Sequence, residues 1–162
     1  MIKKILIVLL IALVIIQLFH PKRNKSKGDQ PNYIGKSFTV PDDIKSILER
    51  SCNDCHSNNT NYPWYANIQP VAWWLNHHIK EGKNEINFDE FSNKSLRFQY
   101  HKFEEITEQV KEGEMPINSY TWTHKDAVLS EADKSKLMAW ADASRDSMKA
   151  KYPIDSLVRK KQ

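Results

Sequence analysis

The chain has 162 residues, with 24 Lys and Arg against 20 Asp and Glu, a formal net charge of +4. The excess sits at the two ends: residues 1–28 carry six basic groups and no acid, residues 149–162 carry five and one, and the stretch between them holds 13 basic and 19 acidic side chains. That distribution excludes a nucleic-acid-binding surface on the central part; the basic ends suit either anionic head groups or, as a solvated tail, bulk water.

Lys3 and Lys4 precede an apolar run from Ile5 to Phe19, 15 residues interrupted only by Gln17. A cleaved secretory signal ends its apolar stretch in small residues. Here His20, Pro21, Lys22 and Arg23 follow, and no Ala-x-Ala pattern is present. A bilayer span needs about 20 apolar residues, a length that Met1, Ile2 and snorkelling lysines bring within reach. Residues 1–20 are therefore expected to be an uncleaved signal-anchor, a transmembrane helix that holds the protein at a membrane. Residues 21–36 read as a polar linker, residues 37–148 as one domain of ordinary size, and residues 149–162 as a basic, frayed C-terminal tail.

The domain opens with Val40, Pro41, Asp42 and Asp43, where Pro and two acids suit the positive end of a helix. Ile44, Ile47, Leu48 and Ser51 follow at helical spacing and lead into Cys52. Cys52 and Cys55 are the only cysteines, and with His56 they form a C-x-x-C-H sequence. Random placement gives that arrangement with a chance of about 5 in 10,000. The spacing lets two thiols join the two vinyl groups of one haem while the adjacent imidazole reaches the iron. A thioredoxin-like redox pair would open a helix in a βαβ setting, a pattern missing here. A four-ligand zinc site would need a second Cys/His pair at short spacing, and His77 and His78 are adjacent instead.

Pro70 and Val71 start a second helix, with Val71, Trp74, Leu75, His78 and Ile79 on one face and Gly82 as its end. A third is expected from Arg97 to Lys111, with Phe103, Ile106 and Val110 inward and Gly113 as the stop. Ser130 to Asp133 form a capping box for a fourth, whose inward residues are Leu137, Trp140, Ala141 and Met148. No run alternates as a strand would. The expected architecture is all-α, a bundle of about four helices around one haem.

For such a group His56 is the expected proximal ligand, its other ring nitrogen bonded to a carbonyl near Tyr62 or Pro63. Met115, in a loop after Gly113 and before Pro116, is the expected distal ligand, and His78 is its rival. Both have plainer readings as core or pocket side chains. His77, His101 and His124 are weaker candidates. Trp64, Trp74 and Tyr120, with Trp73 and Trp122, are candidate flat partners for a porphyrin, or ordinary core aromatics.

Five stretches carry a resemblance: Cys52 to Ser57, Tyr62 to Tyr65, His78 to Gly82, Asn87–Phe88, and Gly113 to Tyr120 with His124 following. Across about residues 40–145 they look like a small monohaem cytochrome c. They are more similar still to a bacterial family described as a haem-binding domain. The resemblance implies one covalent haem c per chain, attached by dedicated machinery outside the cytoplasmic membrane. It therefore implies a periplasmic domain, although Lys22, Arg23, Lys25 and Lys27 taken alone would favour the opposite topology. An electron carrier with redox protein partners is the expected function, rather than an enzyme. A haem sensor or peroxidase-like protein with an open sixth site is the alternative. The chain departs from the wider cytochrome c pattern in two places. The first helix lacks the usual Gly and aromatic pair, and the loop after His56 is long and Asn-rich.

Overall fold

Acidic residues at one end and apolar spacing along one side are enough to start and orient the first helix of the domain. In the computed structural model, which describes residues 1–159, that helix is α2 (Asp42–Ser51), with Ile44, Ile47, Leu48 and Ser51 buried. The chain is all-helical among the described residues, with two isolated bridges, Lys25 to Asn59 and Asn32 to Glu90, and no strand. The other helices are α1 (Ile2–Ile16), α3 (Asn53–His56), α4 (Val71–Glu85), α5 (Leu96–Glu112), α6 (Asn118–Thr121), α7 (Glu131–Lys151) and α8 (Ile154–Leu157).

The main packing layer is α5 against α7, with α2 across α7 and α8 against α5. Its centre is a chain of edge-on aromatic contacts. Phe103 lies 4.8 Å from Phe38, 5.2 Å from Phe91 and 5.5 Å from Trp140. The Trp140 indole donates to the Thr39 carbonyl at 2.9 Å, so its polar edge is satisfied inside the core. The capping box expected at the start of α7 is present: the Ser130 side chain accepts from Asp133 N–H and the Asp133 side chain accepts from Ser130 N–H. A shorter second layer sets α4 against α3 and against a 3-10 turn at Trp64–Asn67.

Four expectations change. First, no helix among the described residues is long and apolar enough to cross a membrane. The expected transmembrane helix is the 15-residue α1, about 22 Å long at 1.5 Å per residue against a hydrocarbon core of about 30 Å. It stops at Gln17 because the domain captures the next residues. Gln17 Oε1 accepts from Gln69 N–H at 2.9 Å, and the Phe19 carbonyl accepts from Gln69 Nε2 at 2.7 Å and Trp73 Nε1 at 2.9 Å. Second, the polar linker is docked. Asn24 bonds Ser57, Thr60, Tyr62 and Lys83, and Ile34 is fully buried. Third, the frayed tail is partly ordered: α7 continues to Lys151, and Leu157 of α8 is 1% exposed in the core. Lys160 and Lys161 of that tail lie outside the described residues. Fourth, α4 passes through Gly82 to Glu85 and turns Ala72, Leu75 and Ile79 inward, leaving Trp74 45% exposed.

Candidate functional site

α2 ends at Cys52, whose N–H bonds the Leu48 carbonyl, and the next four residues turn again as α3. Cys55 and His56 thus sit on a short helical turn that faces α4. Gly82 explains how close the two come. A Cβ built there would lie 3.0 Å from the Cys55 carbonyl oxygen, 3.2 Å from Cys55 Cβ and 3.3 Å from His56 Cε1. A side chain there would need α4 or the motif to give by a few tenths of an ångström, and glycine lets the two pass without that shift.

The close approach delivers two backbone carbonyls to the imidazole. His56 Nδ1 lies 2.9 Å from the Gly82 oxygen and 3.0 Å from the Ile86 oxygen. A carbonyl only accepts, so Nδ1 carries the proton and Nε2 keeps its lone pair. Among the described residues, Nε2 takes no hydrogen bond. The acceptors are therefore at the end of α4, not at Tyr62 or Pro63; the Tyr62 hydroxyl instead accepts from Asn24 N–H at 2.7 Å. Burial holds the His56 pKa below its ordinary value, although the Ile86 and Gly82 carbonyls work in the other direction. The ring is neutral at pH 7, the form that binds a metal.

Both cysteines are free. Burial, then the neighbouring Cys55, pushes the Cys52 thiol up to about 12, and burial with Asp54 pushes Cys55 up to about 11. A reactive redox pair needs at least one thiol lowered toward neutrality, and both of these are held in the opposite direction. Among the described residues no group of three His, Cys, Asp or Glu side chains could hold a metal ion.

Two cavities flank the motif, of about 460 and 300 Å³. They share four wall residues: Cys52, His56, Glu85 and Met115. The larger runs between α2, α5 and the end of α4, past Leu48, Phe88, Ile106 and Leu137. The smaller runs toward Cys55, His78, Gly82, Pro116 and Tyr120. Met115 reaches this seam because α5 stops at Gly113, which adopts φ +76°, and the N–H groups of Glu114 and Met115 both bond the Gln109 carbonyl. Tyr120 lies on the smaller cavity and donates to Asp54 Oδ2 at 2.8 Å, joining the loop that carries Met115 to the motif. Burial and Asp54 hold its phenol well above the ordinary value.

The other candidates scatter. His78 borders only the smaller cavity, set edge-on to Trp74 with centroids 4.4 Å apart. His77 is exposed beside Glu81, and His124 stacks on Tyr120. His101 borders the larger cavity beside Glu104 and Glu105. Trp64 is 76% exposed, and neither Trp64, Trp73, Trp74 nor Trp122 borders either cavity.

Two contributors escaped sequence reasoning. Lys102, nearly buried on the wall of the larger cavity, bonds Glu85 at 3.0 Å and also Glu105. Burial opposes its charge, but the two carboxylates outweigh it and raise its pKa. The three-residue spacing to Glu105 was visible; the contact with Glu85 on another helix was not. The Asn-rich loop after His56 is likewise a satisfied polar network, with Asn58 bonded to Gln30, Asn87, Asp89 and Glu90.

The arrangement defines an all-α domain with a bifurcated apolar slot at a neutral histidine and two thiols. The model of the haem-binding domain family matches residues 11–143, and the chain belongs to that family. No curated protein and no solved structure matches it. The residues at the slot fit the group the family binds: a preset neutral imidazole, two unpaired thiols one turn apart, and mostly apolar walls on both sides.

Proposed function

We propose that this is a c-type cytochrome that carries single electrons, attached to the outer face of the cytoplasmic membrane through α1. The observation that carries the reading is the seam between the two cavities. Its shared walls include a motif cysteine, the motif histidine and the loop methionine. A flat group centred between His56 and Met115 would extend into both lobes.

In this reading Cys52 and Cys55 would hold one haem through thioether links, and His56 Nε2 and the Met115 sulfur would hold its iron. The bound iron supplies the one-electron redox change. The chain's own part is to bind, orient and enclose. Gly82 and Ile86 fix the imidazole tautomer through Nδ1. The Tyr120–Asp54 bond holds the methionine loop against the motif. Lys102 puts a buried positive charge, offset by Glu85 and Glu105, on the cavity wall. Membrane attachment is supported by the apolar residues of α1, none of which is buried.

Met115 is favoured over His78 because His78 touches one lobe and Met115 both. The displaceable-ligand alternative, a sensor or peroxidase-like protein, has one observation in its favour: Met115 remains 36% exposed. Visible spectra of the haem-loaded chain separate these. The expected wild-type spectrum is low-spin with a weak thioether-to-iron band toward the red. Met115→Ala turns it high-spin and His78→Ala leaves it unchanged. A high-spin wild type that binds carbon monoxide readily when reduced supports the alternative, and the reverse mutant pattern means bis-histidine ligation.

A further inference from the structure

Where the apolar helix α1 meets the domain, the surface changes character. The chain after α1 is held by Gln69, a buried side chain, and by Trp73. His20 Nε2 donates to the Asn67 carbonyl at 3.1 Å, and Arg23 bonds the Asn67 side chain. Phe19, Trp64, Ile68 and Trp73 belong to this clamped stretch, with Asn67 Nδ2 donating to the Trp64 carbonyl, and each of the four is exposed. Exposed apolar side chains on the residues that grip the chain leaving α1 differ from the scattered exposure usual on a soluble surface. Trp73 and Phe19 are also tied together, since the indole N–H donates to the Phe19 carbonyl.

The same helix face continues into positive charge. Trp73, Asn76, Lys80 and Lys83 recur at three- and four-residue spacing along α4, which places them on one side of the helix. Beyond them a broad cleft is walled by Lys80 and Lys83 together with Lys22, Arg23 and Lys25 of the docked segment; among the described residues no acidic side chain lines it, and Asp89 and Glu90 lie within electrostatic reach of Lys83. This is a basic surface on a domain whose central stretch carries more acidic than basic groups. Tryptophan with its N–H satisfied, beside lysines, is the chemistry of a bilayer interface with anionic head groups.

We infer that this aromatic and basic collar docks the domain onto the surface of an anionic bilayer, with the α4 face from Trp73 to Lys83 against the head groups. The inference rests on the reading that α1 enters that bilayer. Because residues 17–20, directly after α1, are held to the collar by at least four hydrogen bonds rather than forming a free tether, insertion of α1 fixes the orientation of the domain. The domain sits on the membrane in one pose instead of swinging from it.

The test uses the full, haem-loaded chain in vesicles of phosphatidylcholine with and without phosphatidylglycerol. Nitroxide labels are placed singly through Leu10→Cys in α1, Ile68→Cys in the collar and Ala150→Cys on α7. Collision with oxygen reports lipid, and collision with a nickel chelate reports water. The expected result is that the Leu10 and Ile68 labels lose nickel accessibility and the Ala150 label keeps it. Replacing Lys22, Lys25, Lys80 and Lys83 by Gln, or omitting phosphatidylglycerol, returns the Ile68 label toward water while Leu10 stays in lipid. An Ile68 label as open to nickel as Ala150, with Leu10 in lipid, overturns the docking surface and leaves the attachment standing. A Leu10 label open to nickel overturns the attachment, and the docking surface with it.

Discussion

Among the described residues, sixteen buried apolar side chains, from Ile34 to Leu157, form the cluster around α2, α5 and α7, whereas three, Ala66, Leu75 and Ile79, form the one between α4 and the Trp64–Asn67 turn. The α3–α4 side compensates with polar bonds: Asn24 and Asn58 hold the motif loop, and two carbonyls hold His56. One half of the domain is stable by burial, at about 1.5–3 kcal/mol for each fully buried large side chain. The other borders the smaller cavity, while the larger one is walled by Leu48, Ile86, Phe88, Val110 and Leu137 of the large cluster; under the proposed function a haem fills both. Stability and site meet at the end of α2, where Leu48 belongs to the large cluster and lines the larger cavity, and Cys52 follows.

The strongest way to break this contrast is to withhold the cofactor. In a Cys52→Ala, Cys55→Ala chain, amides of residues 53–86 should exchange rapidly while α5 and α7 stay protected. In the haem-loaded chain both should be protected. Equal protection without haem would mean that the polar network suffices by itself. Next, Phe103→Ala should cost about 3–5 kcal/mol in denaturant unfolding and leave the visible spectrum unchanged. Leu75→Ala, from the small cluster, should cost less and shift the spectrum. Gly82→Ala should cost about 1–3 kcal/mol through overpacking against Cys55, and it should disturb the iron spectrum because the added methyl meets His56. The smallest effect belongs to the packed half. Ser130→Ala removes a cap worth about 1 kcal/mol. Its partner Asp133 has a pKa lowered first by Ser130 and then by Arg50, which lies 2.7 Å away. A lowered carboxylate stabilises the fold above the ordinary range near about pH 4 and loses that contribution as the pH falls through the lowered value. Acid unfolding of Asp133→Asn should therefore be flatter below about pH 4.

The same division governs what the sequence discloses. α2, α5 and α7 were legible because their apolar spacing, the Gly113 stop and the Ser130 capping box are local signals. The motif Cys52, Cys55 and His56 was legible because its chemistry lies within five consecutive residues. What was not legible depends on contacts between distant segments. Gly82 looks like a helix stop in sequence and is a clearance for Cys55 in space. Asn24 looks like linker and is bonded to four residues of the loop region and α4. The length of α1 follows from Gln69, which lies 52 positions after Gln17. Aromatic residues misled in the same way: of the candidate porphyrin partners Trp64, Trp73, Trp74, Tyr120 and Trp122, Tyr120 alone borders the slot, and Phe88 borders it without having been a candidate.

The intact mass of the denatured protein, matured with a haem-attachment system, goes most directly to the proposed role of Cys52 and Cys55. The expected spectrum of masses shows one species, the polypeptide plus one haem, whose colour survives acid acetone. A colourless polypeptide at its unmodified mass, with the haem stripped into the solvent, would contradict covalent attachment at this motif.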